Sequence, residues 1–386
     1  MPDPALIVLE DGASFRGEAL TQGADGIAGG ELVFTTSMTG YQEVATDPSY
    51  HGQMVTFTFP LVGNYGVSES LLESDSVHAT AVLAREITNY RYNFVAQGCW
   101  LDWLSERGIM VVSGVDTRAI TRHIRDRGAM RAVISAGGEP ASKLAAAARA
   151  LPSMAGLDLA SVVAGTETRV FEPVPDGPGT CPHVVAFDYG IKNSIIRLLC
   201  EQGMRVTLVP PRTSAAAVKK LDPDGIFLAN GPGDPAAVGY AVKTIRKLVG
   251  KTPIFGICLG HQLLALALGL TTYKLPFGHR GSNHPVLDVA GERVLVTTQN
   301  HGFAVSDASL PDGVDITHLS LNDRTVEGLA CPSAYAFSVQ FHPEASPGPH
   351  DARHLFERFT TEIERFKSRP GARRTGGSQA RSGGEA

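Results

Sequence analysis

The chain has 386 residues and is 43% hydrophobic, enough for two cored domains, since single cores rarely grow past ~250 residues. A formal net charge of -5 excludes the overall basic field that draws a protein to nucleic acid or to an anionic membrane. The opening MPDPALIVLEDGASF has acids where a secretory signal carries positive charge, and no apolar run reaches the ~20 residues that span a bilayer, so a cytoplasmic protein is expected.

Residues 1–150 read as a smaller N-terminal α/β domain. Glycine-rich, strand-like pieces such as LIVLEDGASFRGEAL precede helical stretches around FVAQGCWLDWLSERG and TRAITRHIRDRG. Trp100 and Trp103 have the spacing of core or domain-interface packing, and the arginines from Arg118 to Arg131 make a basic helical face, expected in solvent or against another chain. Residues 151–181 are taken as a linker on the strength of the Pro/Gly-rich FEPVPDGPGTCP at 171–182. From 182 to 366, apolar runs alternate with helical ones. VVAFDY, RVTLVP, GIFLAN and PIFGI are strands; NSIIRLLCEQG, capped at Asn193/Ser194 and stopped at Gly203, SAAAVKKL and AAVGYAVKTIRKLVG are helices. That alternation predicts a mostly parallel, flavodoxin-like sheet with helices on both faces. After residue 290, RVLVTTQ, VDITHLS, TVEGLA and AYAFSVQF follow without helices, predicting antiparallel strands at the end of the sheet and a last helix near 350–366. Residues 367–386 lack apolar content and are expected to be disordered.

The five cysteines are irregularly spaced, with no CxxC pair, and fit neither a disulfide framework nor a zinc site. One of them, Cys258 in GICLG, has the glycine-x-nucleophile-x-glycine form of a strand-to-helix elbow. Such a turn leaves no room for side chains beside the nucleophile and sets the thiol at the carboxyl end of a parallel strand. A helix N-terminus favours negative charge, and the Leu259 N–H is placed to donate to an oxyanion. Alone, the motif is equally consistent with a buried packing cysteine. His261 begins the helix and is not the expected base. His342 ends the strand AYAFSVQF, and Glu344, two residues on, projects to the same side and can orient the imidazole. Asn230-Gly231-Pro232-Gly233-Asp234-Pro235 ends another strand in a turn that lets backbone amides approach a ligand. HRGSNHP (279–285) pairs two histidines without a third ligand nearby, so no metal site is expected.

GICLGHQ, NGPGDP and FHPE, in this order on this alternation, resemble a class I, triad-type glutamine amidotransferase domain. The resemblance implies Cys258 as nucleophile, His342 as base and then acid, and Glu344 as its orienting group. In the front half, SMTGYQE, DPSY and GVDTRAITRHIRDRG resemble the N-terminal domain of the carbamoyl-phosphate synthetase small-chain family. By the same resemblance, L-glutamine is held by Ser37, Gly231, Gly233, Leu259, Gln262, Asn300, Gly302 and Phe303.

The sequence has neither a GxxxxGK[ST] loop nor a GxGxxG turn. No cofactor is therefore expected in this chain. The family places ATP and magnesium on a large partner chain, which makes carbamoyl phosphate for pyrimidine or arginine synthesis and receives ammonia through a tunnel. A heterodimer, or an oligomer of heterodimers, follows from the resemblance. Three other readings fit parts of the pattern: the glutaminase of a different ammonia-using synthase, a silent scaffold for a large chain, and a thiol peptidase or γ-glutamyl hydrolase. SMTGYQE, the Cys258–His342–Glu344 set and the front domain respectively speak against them.

Overall fold

The computed structural model describes residues 3–23, 26–174 and 181–369. Its first part contains strands β1 (Asp3–Leu9), β2 (Ser14–Gln22), β3 (Ile27–Thr35), β4 (Gln53–Phe57), β5 (Leu61–Val62), β6 (Ala81–Leu83), β7 (Glu86–Ile87), β8 (Met110–Ser113) and β9 (Met130–Ser135). Helices α1 (Tyr41–Thr46), α2 (Trp100–Glu106), α3 (Thr117–Arg127) and α4 (Ala141–Ala150) accompany them. Seven strands close into a barrel in the order β1-β2-β8-β6-β4-β3-β9, with β9 returning antiparallel to β1, while β5 and β7 pair separately. The barrel interior is filled by Ile7, Leu9, Leu32, Met54, Leu83, Val112 and Ile134, all 0% exposed, under Ile120 and Ile124 of α3.

The expected α/β composition holds, but the barrel closure was not read from the sequence. It rests on pairs such as Ile7 with Ile134, distant in the chain, which strand periodicity does not encode. Trp100 is fully buried against Tyr41 and Trp103, as its spacing suggested.

The second part is one ten-stranded sheet. Its elements are α5 (Ala160–Val163), β10 (Arg169–Phe171), β11 (His183–Phe187), α6 (Asn193–Glu201), β12 (Arg205–Val209), α7 (Ala215–Lys220), β13 (Gly225–Leu228), α8 (Gly239–Arg246), β14 (Ile254–Ile257), α9 (Leu259–Leu268), β15 (Thr272–Asp288), β16 (Arg293–Val305), β17 (Asp315–Ser320), β18 (Val326–Cys331), β19 (Ala336–Val339) and α10 (His354–Lys367). Strands β12-β11-β13-β14-β19 run parallel, and β18, β16, β15 and β17 continue the sheet antiparallel. The parallel strands are short and mostly apolar, as strands covered on both faces are. Phe255 of β14 stacks on Phe337 of β19 and meets Phe356 and Phe359 of α10 edge-on or tilted.

Three expectations need correction. AYAFSVQF is not at the sheet's end: β19 lies between β14 and β18, parallel to the first and antiparallel to the second. Part of the supposed linker is structured, because β10 pairs antiparallel with β12 as the sheet's edge; residues 175–180 of it lie outside the described residues, as do 370–386 of the expected tail. Helix α6 starts at Asn193 with Lys192 at its cap, because Ser194 Oγ is committed to Glu73 of the front domain at 2.7 Å.

The two parts meet over a polar seam. Asn230 Nδ2 donates to Ser49 Oγ at 3.0 Å, Asn300 Nδ2 to Asp47 Oδ2 at 2.8 Å, and Thr36 N–H to the Arg280 carbonyl at 3.1 Å. The carboxyl ends of β13 and β14 open onto this seam.

Candidate active site

The chain passes from β14 into α9 through Cys258, whose φ of 54° and ψ of -105° are strained for an L-residue. The flanking glycines make the turn possible. A Cβ on Gly260 would stand 2.1 Å from the Leu228 carbonyl oxygen, and one on Gly256 would stand 2.8 Å from the Gly260 backbone. The elbow is anchored where the Cys258 N–H donates to the Val339 carbonyl of β19 at 2.9 Å. Leu259 opens α9, so its N–H has no acceptor within the helix. The thiol is 2% exposed and donates to the Asn300 carbonyl at 3.6 Å.

His342 follows β19, and its N–H donates to the Thr298 carbonyl at 2.9 Å. Its Nδ1 donates to Glu344 Oε1 at 2.6 Å, which leaves Nε2 as the reactive nitrogen; Nε2 is buried and has no hydrogen-bond partner among the described residues. Burial disfavours a charged ring here. The Glu344 carboxylate, and after it the Cys258 side chain, outweigh that effect and hold His342 protonated well above the ordinary histidine range. Glu344 shifts the other way: burial would raise it, but Lys192 and then His342 hold its carboxyl well below the usual range.

Lys192 was not singled out in the sequence. Its ammonium, 3% exposed as a side chain, donates to Glu344 Oε1 at 3.0 Å and to the carbonyls of Ala345 and Ser346 at 2.8 and 3.1 Å. A lysine between an apolar strand and an apolar helix start was the available signal, since lysine is almost never fully buried without a partner. The chain of contacts thus runs His342, Glu344, Lys192. His261 takes no part: buried and bonded to Ser338 Oγ at 2.9 Å, it is pushed down to about 3 by burial and stays neutral.

Beside the thiol lies a cleft lined by Gly231, Gly233, Gln262, Asn300, Gly302 and Phe303, together with Glu31, Lys274 and Arg280. The expected substrate residues are therefore largely brought together. Gly231 and Gly233 accept no side chain, because a Cβ would meet the Tyr189 carbonyl oxygen at 2.0 Å and the Leu157 carbonyl oxygen at 2.7 Å. Gln262 spends its amide nitrogen on the Phe303 carbonyl and on Gln340 Oε1, leaving its oxygen for a ligand. Ser37 is not in this cleft. It lines a smaller cavity on the His342 side with Asp47, Lys192 and Asn300, so Asn300 is common to both. Glu31, Lys274 and Asp47 were also missed, because their roles arise only where the two parts meet.

The two histidines of HRGSNHP part in the fold: His279 stands against His301 of β16 and Glu327 of β18, all ligand atoms within 4.8 Å of one another, and His284 is outside the group. No helix among the described residues is long and apolar enough to cross a membrane.

Residues 185–361 match the family model described as glutamine amidotransferase class-I, and residues 7–134 match that of the carbamoyl-phosphate synthase small chain, CPSase domain. A protein of Chlorobaculum tepidum named carbamoyl phosphate synthase small chain is 51% identical, over 95% of this chain and 99% of its own. Proteins of the same name from Rhodopirellula baltica and Escherichia coli are 46% and 48% identical, over 93% and 94% of this chain and 96% and 98% of theirs.

Proposed function

Since the chain belongs to the carbamoyl phosphate synthase small-chain family, we infer that it is the glutamine-hydrolysing subunit of that synthase, working with a large partner chain. The observation that carries the chemistry is the strained Cys258 elbow within reach of a buried, charge-supported His342–Glu344 pair.

The thiolate of Cys258 attacks the side-chain amide carbon of L-glutamine, and the amide oxygen becomes an oxyanion facing the N–H groups of Leu259 and Gly233. One such donor lowers a barrier by roughly 3–4 kcal/mol. The protonated His342 gives its Nε2 proton to the departing nitrogen, so ammonia leaves and a glutamyl thioester remains. His342, now neutral, takes a proton from water; the hydroxide adds to the thioester, and the thiolate leaves with glutamate as product. Glu344 keeps Nδ1 protonated through both halves, and Lys192 keeps Glu344 anionic. Gly231, Gln262, Asn300, Gly302 and Phe303 border the substrate, with Ser37 approaching from the far side of Asn300.

Ammonia passes to the large chain, where ATP, magnesium and bicarbonate are used, for pyrimidine or arginine synthesis; one small chain pairs with one large chain. The division into 1–150, 151–181, 182–366 and 367–386 is supported by a barrel ending at Ser135 and a parallel sheet starting at His183, with β10 reaching into the linker. The order of the five parallel strands supports a flavodoxin-like arrangement.

The test measures glutamate release by wild type and Cys258→Ser, with and without the large chain, ATP and bicarbonate. Loss of glutamine-dependent synthesis in the variant, with ammonia-dependent synthesis kept, supports the reading. Equal activity of both proteins would assign Cys258 to packing.

A further inference from the structure

We propose that His279, His301 and Glu327 form a binding site for a single first-row divalent cation, zinc by its ligand set, beneath the glutamine-binding strand. The three come from different strands, β15, β16 and β18, and all three are buried, Glu327 completely. His279 Nδ1 lies 3.4 Å and His301 Nε2 3.8 Å from the same oxygen, Glu327 Oε1. Neither nitrogen has a hydrogen-bond partner among the described residues. Three donor atoms thus face one point without bonding each other. Around a four-coordinate zinc with bonds of ~2.0–2.1 Å, neighbouring ligand atoms are ~3.3 Å apart, so the two nitrogen–oxygen edges need to close by about 0.5 Å or less, and the nitrogen–nitrogen edge starts within 4.8 Å.

The outer contacts are those a metal site requires. The opposite nitrogen of each ring is already fixed: His279 Nε2 by Asp323 Oδ2 at 2.8 Å and His301 Nδ1 by the Phe303 carbonyl at 2.7 Å. These bonds set the tautomers that leave Nδ1 of His279 and Nε2 of His301 as lone-pair donors. Glu327 Oε2 is held by Gln299 Nε2 at 2.9 Å, and Oε1 accepts only a long contact from Thr325 Oγ1 at 3.5 Å, which leaves a lone pair of Oε1 to the cation. Two carboxylates, Asp323 and Glu327, supply negative charge to offset it. The same Phe303 carbonyl accepts from Gln262 Nε2 at 2.9 Å. A cation on His301 would therefore pin the strand Gln299–Phe303, which borders the substrate cleft. In the absence of a cation the competing arrangement is a protonated His279 bridging Asp323 and Glu327.

The experiment uses the full chain without a histidine tag, alone and in complex with its large partner. Metal content is measured by mass spectrometry after purification, and Co²⁺ is titrated into the chelator-treated protein. The expected result is one equivalent bound, a visible d–d band without a thiolate charge-transfer band, and loss of both in Glu327→Gln and His279→Asn, while Cys258→Ser retains them. Asp323→Asn, which leaves every ligand in place, should weaken Co²⁺ binding ~10–100-fold and so serves if the ligand variants fail to fold. Absence of stoichiometric metal together with a featureless Co²⁺ titration overturns the proposal, as does a spectrum unchanged in Glu327→Gln.

Discussion

Replacing Lys192 by methionine tests whether the charges behind His342 act as a unit. The Lys192 and Glu344 side chains are 3% and 0% exposed, and their charged atoms are 3.0 Å apart. Removing the ammonium leaves a carboxylate in the interior, and breaking a buried pair from one side typically costs about 3–5 kcal/mol. The lower end applies, because His342 remains as a second cation at 2.6 Å. Glu344→Gln is milder at about 2 kcal/mol, since Lys192 keeps the carbonyls of Ala345 and Ser346. The double variant carries no unpaired buried carboxylate, so it should lose about 2–3 kcal/mol rather than the sum of roughly 5. Urea unfolding of the four proteins at neutral pH measures this. In activity, Lys192→Met removes the anchor that holds the Glu344 carboxylate in place, so His342 is oriented less strongly and kcat for glutamate release should fall ~10–100-fold. Single losses that add within about 0.5 kcal/mol would refute the coupling.

Gly260→Ala should abolish glutaminase activity and destabilise the chain well beyond the ~1 kcal/mol typical of point changes, because its Cβ would collide with the Leu228 carbonyl; urea midpoints and glutamate release check this. Asp47→Ala orphans the buried Asn300 amide, so it should cost about 1–3 kcal/mol and raise KM for glutamine more than it lowers kcat. The His342–Glu344 pair gives a pH signature. Glu344 is lowered from 4.5, so its contribution is present above pH 4.5 and fades as pH falls through the folded value. His342 is raised from 6.5, so its contribution is complete below pH 6.5 and fades as pH rises through the folded value. The stability gap between wild type and Glu344→Gln should therefore be widest between pH 4.5 and 6.5. A gap that widens steadily with pH would contradict the pairing.

The parallel sheet was legible because its strands are short apolar runs separated by helical periods, and a strand buried on both faces has no other pattern available. Cys258, His342 and Glu344 were legible because the elbow demands glycines at 256 and 260, and because His-x-Glu after a strand projects both groups to one side. What the sequence hid was long-range. The barrel depends on β9 meeting β1, the placement of β19 depends on β14 accepting it as a neighbour, and Ser194 serves the domain seam rather than a helix cap. Lys192, Asp47 and the His279–His301–Glu327 group share that character. Each gains its meaning from a partner that local spacing does not bring near.

The central claim is a covalent glutamyl thioester on Cys258, and acid quenching during steady-state glutamine turnover, followed by peptide mass spectrometry, tests it most directly. The account predicts a mass increase equal to glutamine minus ammonia on the Cys258 peptide, absent in Cys258→Ser. Continued turnover with no adduct at Cys258, or with the adduct on another residue, would contradict it.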